Sequence, residues 1–133
     1  MSEIDCKTVT AGEYPVSLKV REHSFHADMT VPGGGADSSP SPHDYFDAAL
    51  AACKALTVTW YAKRHKIPLE RVDTQVESDA AQERAGVYKL KVKLTFHGEA
   101  LTDEQRALLH KAAAACPIHK LMTTSDVQIE TVE

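Results

Sequence analysis

A chain of 133 residues is long enough to bury one hydrophobic core and too short for two, so a single domain over residues 1–133 is expected. Its charge is mildly acidic and well mixed, with 15 Lys plus Arg against 19 Asp plus Glu and a net of -4. That leaves no basic stripe for phosphates and argues against a nucleic-acid partner. The opening Met1-Ser2-Glu3-Ile4-Asp5 has neither a positive nor an apolar leader segment, and no run approaches the roughly 20 apolar residues of a membrane span. The expected setting is therefore the cytosol, without a membrane partner. In that reducing compartment Cys6, Cys53 and Cys116 point to a transient catalytic or sensing bridge, not to a permanent disulfide framework.

From Lys7 to Val31 the chain alternates. Val16, Leu18 and Val20 share one face, Ser17, Lys19 and Arg21 the other, and a second run from Ser24 to Val31 follows a break at Glu22-His23, which predicts an N-terminal set of strands. Residues 32–42, with Gly33-Gly34-Gly35 and three prolines, exclude helix and central strand. The glycines lack both the Lys-Ser/Thr of a phosphate loop and the spacing of a dinucleotide fingerprint, so this stretch reads as a flexible surface loop.

A first helix is signalled by Ser41 as N-cap, Pro42 at the first helical position and Asp44 as the reciprocal acid of a capping box. From Tyr45 to Tyr61 it is almost wholly apolar or small, interrupted by Asp47, Lys54, Thr57 and Thr59. Core is expected on most of its circumference, at the centre of the fold or of a dimer. It ends in the cationic Lys63-Arg64-His65-Lys66 before Pro68. Leu69 to Ser78 and Val87 to Gly98 read as an antiparallel pair. In the second strand Lys89, Lys91 and Lys93 face water opposite Leu90, Val92 and Leu94. A second helix, capped by Thr102 and Gln105, runs through Leu108 and Leu109 to Cys116, where Pro117 forces a restart. A short helical segment from Ile118 to Thr123 and a last alternating strand from Asp126 to Val132 complete the chain.

Cys53 and Cys116 each close an alanine-rich helical run. A lone buried cysteine is commonly an inert small hydrophobe, whereas two thiols presented from similar packed helices can meet and exchange a disulfide. Cys6, in a polar stretch, is read as incidental. Cys116-x-x-His119 has half the spacing of a zinc site, yet no second Cys/His pair stands nearby in sequence, so no metal is expected.

The glycine loop leading into Ser41-Pro42-His43-Asp44, the run from Ala48 to Cys53 followed by Lys54-Ala55-Leu56-Thr57, and Cys116-Pro117-Ile118-His119-Lys120 occur in that order. Together they resemble the OsmC/Ohr family, the osmotically inducible and organic hydroperoxide resistance proteins, from about residue 15 to the end. The resemblance implies an α+β fold in which a long central helix packs on antiparallel sheets, and an intertwined homodimer. It implies thiol-dependent, peroxiredoxin-like reduction of organic hydroperoxides in a stress response, with Cys53 in the peroxidatic place and Cys116 in the resolving one. It also implies an external, lipoyl-type dithiol as reductant and no cofactor.

In such chemistry a thiolate attacks one peroxide oxygen, an alcohol leaves, and the sulfenic acid condenses with the second thiol. Cys53 therefore needs a lowered pKa and a donor for the departing oxygen, and at about three turns inside its helix it gains little from the helix dipole. The best-known family members have a Glu where His43 stands; Asp44 beside it is the carboxylate available to substitute. Position 43 lies roughly 15 Å along the helix from Cys53 at about 1.5 Å per residue, so His43 and Asp44 would act from the partner subunit. The rival reading is a non-catalytic redox sensor or small-molecule-binding dimer, with His43 marking lost catalysis. A cationic side chain near the Cys53 sulfur discriminates between the two.

Overall fold

The computed structural model describes residues 2–133 and divides into two compact units, one ending at Phe46 and the other running from Asp47 to Glu133. In the first unit, strands β1 (Asp5–Thr8), β2 (Val16–Val20) and β3 (His23–Ala27) form an antiparallel sheet in the order β1-β2-β3. Leu18 sits opposite Cys6 on one side and Phe25 on the other. The turn falls at Arg21-Glu22, one residue before the break read at Glu22-His23, with Arg21 in the left-handed region at φ 51° and His23 opening β3.

The glycine-rich stretch is more ordered than a flexible loop. Asp28 is only 4 % exposed, and its carboxylate accepts hydrogen bonds from the Met29 N–H at 2.7 Å, the Ala36 N–H at 3.3 Å, and the Ser38 N–H and hydroxyl at 3.0 and 2.7 Å. The donors from Ser38, ahead of those from Met29 and Ala36, outweigh burial and hold this carboxyl below its ordinary range. Gly35 is required by close approach, since a Cβ there would run into the Met29 carbonyl.

Helix α1 (Pro42–Arg64) opens as its sequence dictates. The Asp44 N–H donates to the Ser41 hydroxyl at 3.2 Å and the Ser41 N–H donates to the Asp44 carboxylate at 2.9 Å, the two halves of a capping box. One turn on, the Tyr45 hydroxyl donates to the His26 carbonyl and its ring stands edge-on to Phe25.

In the second unit β4 (Arg71–Asp79) and β5 (Lys89–His97) pair antiparallel from Arg71 opposite His97 to Asp79 opposite Lys89. Along both strands exposed and half-buried residues alternate, as the lysine ladder predicts. Within this unit α1 buries Leu50, Lys54, Val58 and Ala62, a single i+4 stripe. Val58 and Ala62 pack with Ile67, Leu109 and Ala113, and Val72, Leu94 and Phe96 of the sheet close over them. The Thr74 hydroxyl bonds the Ala51 carbonyl at 3.0 Å and the Tyr88 hydroxyl bonds Asp47 at 2.7 Å, pinning sheet to helix.

Helix α1 ends in a Schellman pattern. The Ile67 N–H reaches the Ala62 carbonyl and the Lys66 N–H the Lys63 carbonyl, with Lys66 left-handed at φ 53°. Helix α2 (Asp103–Ala113) starts with the expected Thr102/Gln105 capping box, and α3 (Pro117–Thr123) follows it. The fold is thus α+β, helices with antiparallel sheets.

Within the single chain α1 buries one stripe, and Leu56 and Trp60 stand 71 % and 59 % exposed on the face away from it. Two further expectations are corrected. Cys116 does not close a helix: α2 ends at Ala113, and Cys116 caps α3 because Pro117 has no N–H with which to continue α2. Residues 126–132 form no strand. Val127 and Ile129 stand exposed there, and alternation alone supplies no backbone partner.

Candidate active site

The site is built where α1 passes the turn between α2 and α3. Beyond Ala113 the chain tightens, the Ala114, Ala115 and Cys116 N–H groups each reaching back three residues to Lys111, Ala112 and Ala113. This turn carries the fully buried Cys116, whose free thiol and that of the half-buried Cys53 lie close enough to influence each other's ionisation.

Their environments pull them apart. Burial pushes Cys53 up, but hydrogen bonds from the Cys116 thiol, the Ile118 N–H and the Thr57 hydroxyl, together with the positive charge of Lys54, outweigh it and hold the thiol below its ordinary value. The Thr57 oxygen lies 3.9 Å from the Cys53 sulfur. Burial and the same bond with Cys53 push Cys116 up, only partly offset by the N–H groups of His119 and Ile118. Both shifts run the same way, favouring the anion on Cys53 and the proton on Cys116.

Cys53 opens into a cleft of about 600 Å³ whose lining is almost wholly apolar. Ala49, Ala52, Leu56 and Trp60 line it from α1, at the helical spacing that makes one stripe, and Ala115 and Pro117 from the α2–α3 turn. A thiolate at an apolar wall with a buried thiol beside it can attack a weak bond in an apolar substrate and then be captured by its neighbour.

Of the residues marked from sequence, Cys53 and Cys116 are brought together. His43 and Asp44 lie in the first turn of α1, in the unit that ends at Phe46, with the Asp44 carboxylate engaged in the helix cap. Sequence reasoning passed over Lys54 as an interruption of an apolar run. It is 6 % exposed, and its ammonium donates to the Ala113 carbonyl at 2.9 Å and to His119 Nδ1 at 3.0 Å. The available signal was its burial-prone place, four residues from both Leu50 and Val58 on one helical face. His119, half of an apparent zinc spacing, is the partner of this lysine.

The fold, helices with antiparallel sheets, is that of the OsmC-like proteins. The family model described as OsmC-like protein matches residues 34–132, and the chain belongs to that family. Its structure is similar to that of an organic hydroperoxide resistance protein OsmC from Legionella pneumophila, with 25% identity, a TM-score of 0.67, and 93% of this chain and 90% of that one covered. It is also similar to the organic hydroperoxide resistance protein OhrB of Bacillus subtilis (22% identity, TM-score 0.61, 93% and 91% covered). An OsmC-like protein from Mycoplasma pneumoniae shares the fold at 14% identity, with a TM-score of 0.72 and 93% and 88% covered. Comparison with curated protein sequences finds no match. Among the described residues no helix is long and apolar enough to cross a membrane.

Proposed function

We propose that this protein is a cytosolic thiol-dependent peroxidase that reduces organic hydroperoxides, with Cys53 peroxidatic and Cys116 resolving. The observation that supports it most is the opposed tuning of two adjoining thiols, one held down and one pushed up, beside an apolar cleft. The Cys53 thiolate attacks the outer oxygen of ROOH, the O–O bond breaks, and the alkoxide leaves with a proton as ROH. Cys53 is left as sulfenic acid. The Cys116 thiol then attacks the Cys53 sulfur, water departs, and a disulfide forms. An external lipoyl-type dithiol reduces it by two exchanges.

The working form in this reading is a homodimer, and the exposed Leu56 and Trp60 on α1 support one. In it, His43 and Asp44 contribute to the site of the second copy. The test is turnover. Dihydrolipoamide-dependent consumption of cumene hydroperoxide is expected for the parent and lost in Cys53→Ser and Cys116→Ser. A dithiol that oxidises once without turning over would instead be the redox sensor.

A further inference from the structure

Lys54 is a buried cation whose charge favours the Cys53 anion and whose hydrogen bonds reach beyond Cys53. An ammonium only donates hydrogen bonds, so His119 accepts at Nδ1 and carries its ring proton on Nε2. The two partners of the ammonium, Ala113 and His119, lie three residues before and three residues after Cys116. The Ala113 carbonyl lies at the end of α2, where the i+4 helical bonds run out and a cation also complements the helix dipole. The same carbonyl accepts the Cys116 N–H at 3.4 Å. A charge this deep is tolerated because it is hydrogen-bonded, here to one residue on each arm of the turn.

We infer that Lys54 is the positioning residue of the dithiol site. By bonding the carbonyl of Ala113 and the imidazole of His119 across the Cys116 turn, it fixes the resolving thiol against Cys53 for disulfide closure. The inference rests on the dithiol part of the reading above and not on the identity of the oxidant. Chain neighbours on α1, Cys53 and Lys54 address the same turn from adjacent positions, one offering the sulfur and the other anchoring its partner.

The test uses no peroxide, so its failure is separable from failure of the peroxidase reading. In a Cys6→Ser background, which removes the exposed thiol, the protein is mixed with dithiobis(nitrobenzoate). The Cys53 thiolate attacks the reagent disulfide, releasing one thionitrobenzoate and leaving a mixed disulfide. Cys116, losing its proton to solvent, then attacks the Cys53 sulfur and releases the second. The two releases separate attack by Cys53 from closure by Cys116.

Lys54→Met, similar in length and apolar, is expected to slow closure by at least about tenfold, as loss of a charge-assisted anchor implies. It should also shift the pH profile of the first release upward. Lys54→Arg should retain closure within about threefold of the parent, and His119→Ala, at an exposed position, should slow closure by an intermediate factor. The shift in the first release reports the lysine's charge, whereas slowed closure in Lys54→Met with rescue by Lys54→Arg reports the anchoring of the turn. Folded Lys54→Met closing at the parental rate overturns the proposal. If Lys54→Met does not fold, His119→Ala at the parental rate does so.

Discussion

At the scale of single residues the protein separates two chemically identical groups by their surroundings. Cys53 has donors, namely the Cys116 thiol, the Ile118 N–H and the Thr57 hydroxyl, and the Lys54 charge nearby, so its anion is favoured despite partial burial. Cys116 is sealed from water, and burial together with its interaction with Cys53 pushes its thiol up, so the protonated form is favoured. For an acid whose folded pKa is depressed, the reactive anion persists to lower pH. Alkylation of Cys53 by iodoacetamide in the Cys6→Ser background is therefore expected to rise with pH through a midpoint below that of an unperturbed thiol. Cys116→Ala, by removing a donor, should move the midpoint up; an unmoved midpoint would show that the neighbouring thiol does not tune Cys53. The cysteines were legible in the sequence because two thiols at the ends of apolar alanine runs stand out. Lys54 was not, because what distinguishes it is contact with Ala113 and His119, which are remote in sequence.

At the scale of elements, local chemistry predicted local structure. The capping boxes at Ser41/Asp44 and Thr102/Gln105 and the period-two lysine ladder of β5 are short-range signals, and each reads directly into its element. Thr102→Ala is expected to lower unfolding free energy by about 1 kcal/mol. Leu109→Ala, at a fully buried position, should lower it by about 2–5 kcal/mol. Denaturant titrations check both, and equal effects would contradict the placement of Leu109 in the core. Where the sequence misled, the missing information was tertiary. Alternation over 126–132 marks two faces but supplies no partner strand, and the alanines before Cys116 have helical propensity that the chain abandons at Ala113 in favour of a turn. The glycine stretch read as mobile because nothing local identifies Asp28 as the acceptor for Ala36 and Ser38, residues eight and ten positions on.

For the molecule as a whole, α1 divides its circumference between a buried stripe through Leu50, Lys54, Val58 and Ala62 and an apolar face with Leu56 and Trp60 in water. An exposed face of that kind, bordering Cys53, is what a second copy would cover. Sedimentation is expected to give about twice the 14.6 kDa of the chain, and Leu56→Asp with Trp60→Asp should shift it towards the monomer. A parent that sediments as a monomer at micromolar concentration would remove the dimer from the account. The central claim, that Cys53 takes the oxygen and Cys116 resolves, is tested most directly by intact mass after one equivalent of cumene hydroperoxide. The parent should lose two protons in mass, as an internal disulfide does, and Cys116→Ser should gain one oxygen as a trappable sulfenic acid. Cys53→Ser should remain unchanged on the same timescale. Oxidation that proceeds equally in Cys53→Ser, or a parent that stays reduced, would contradict it.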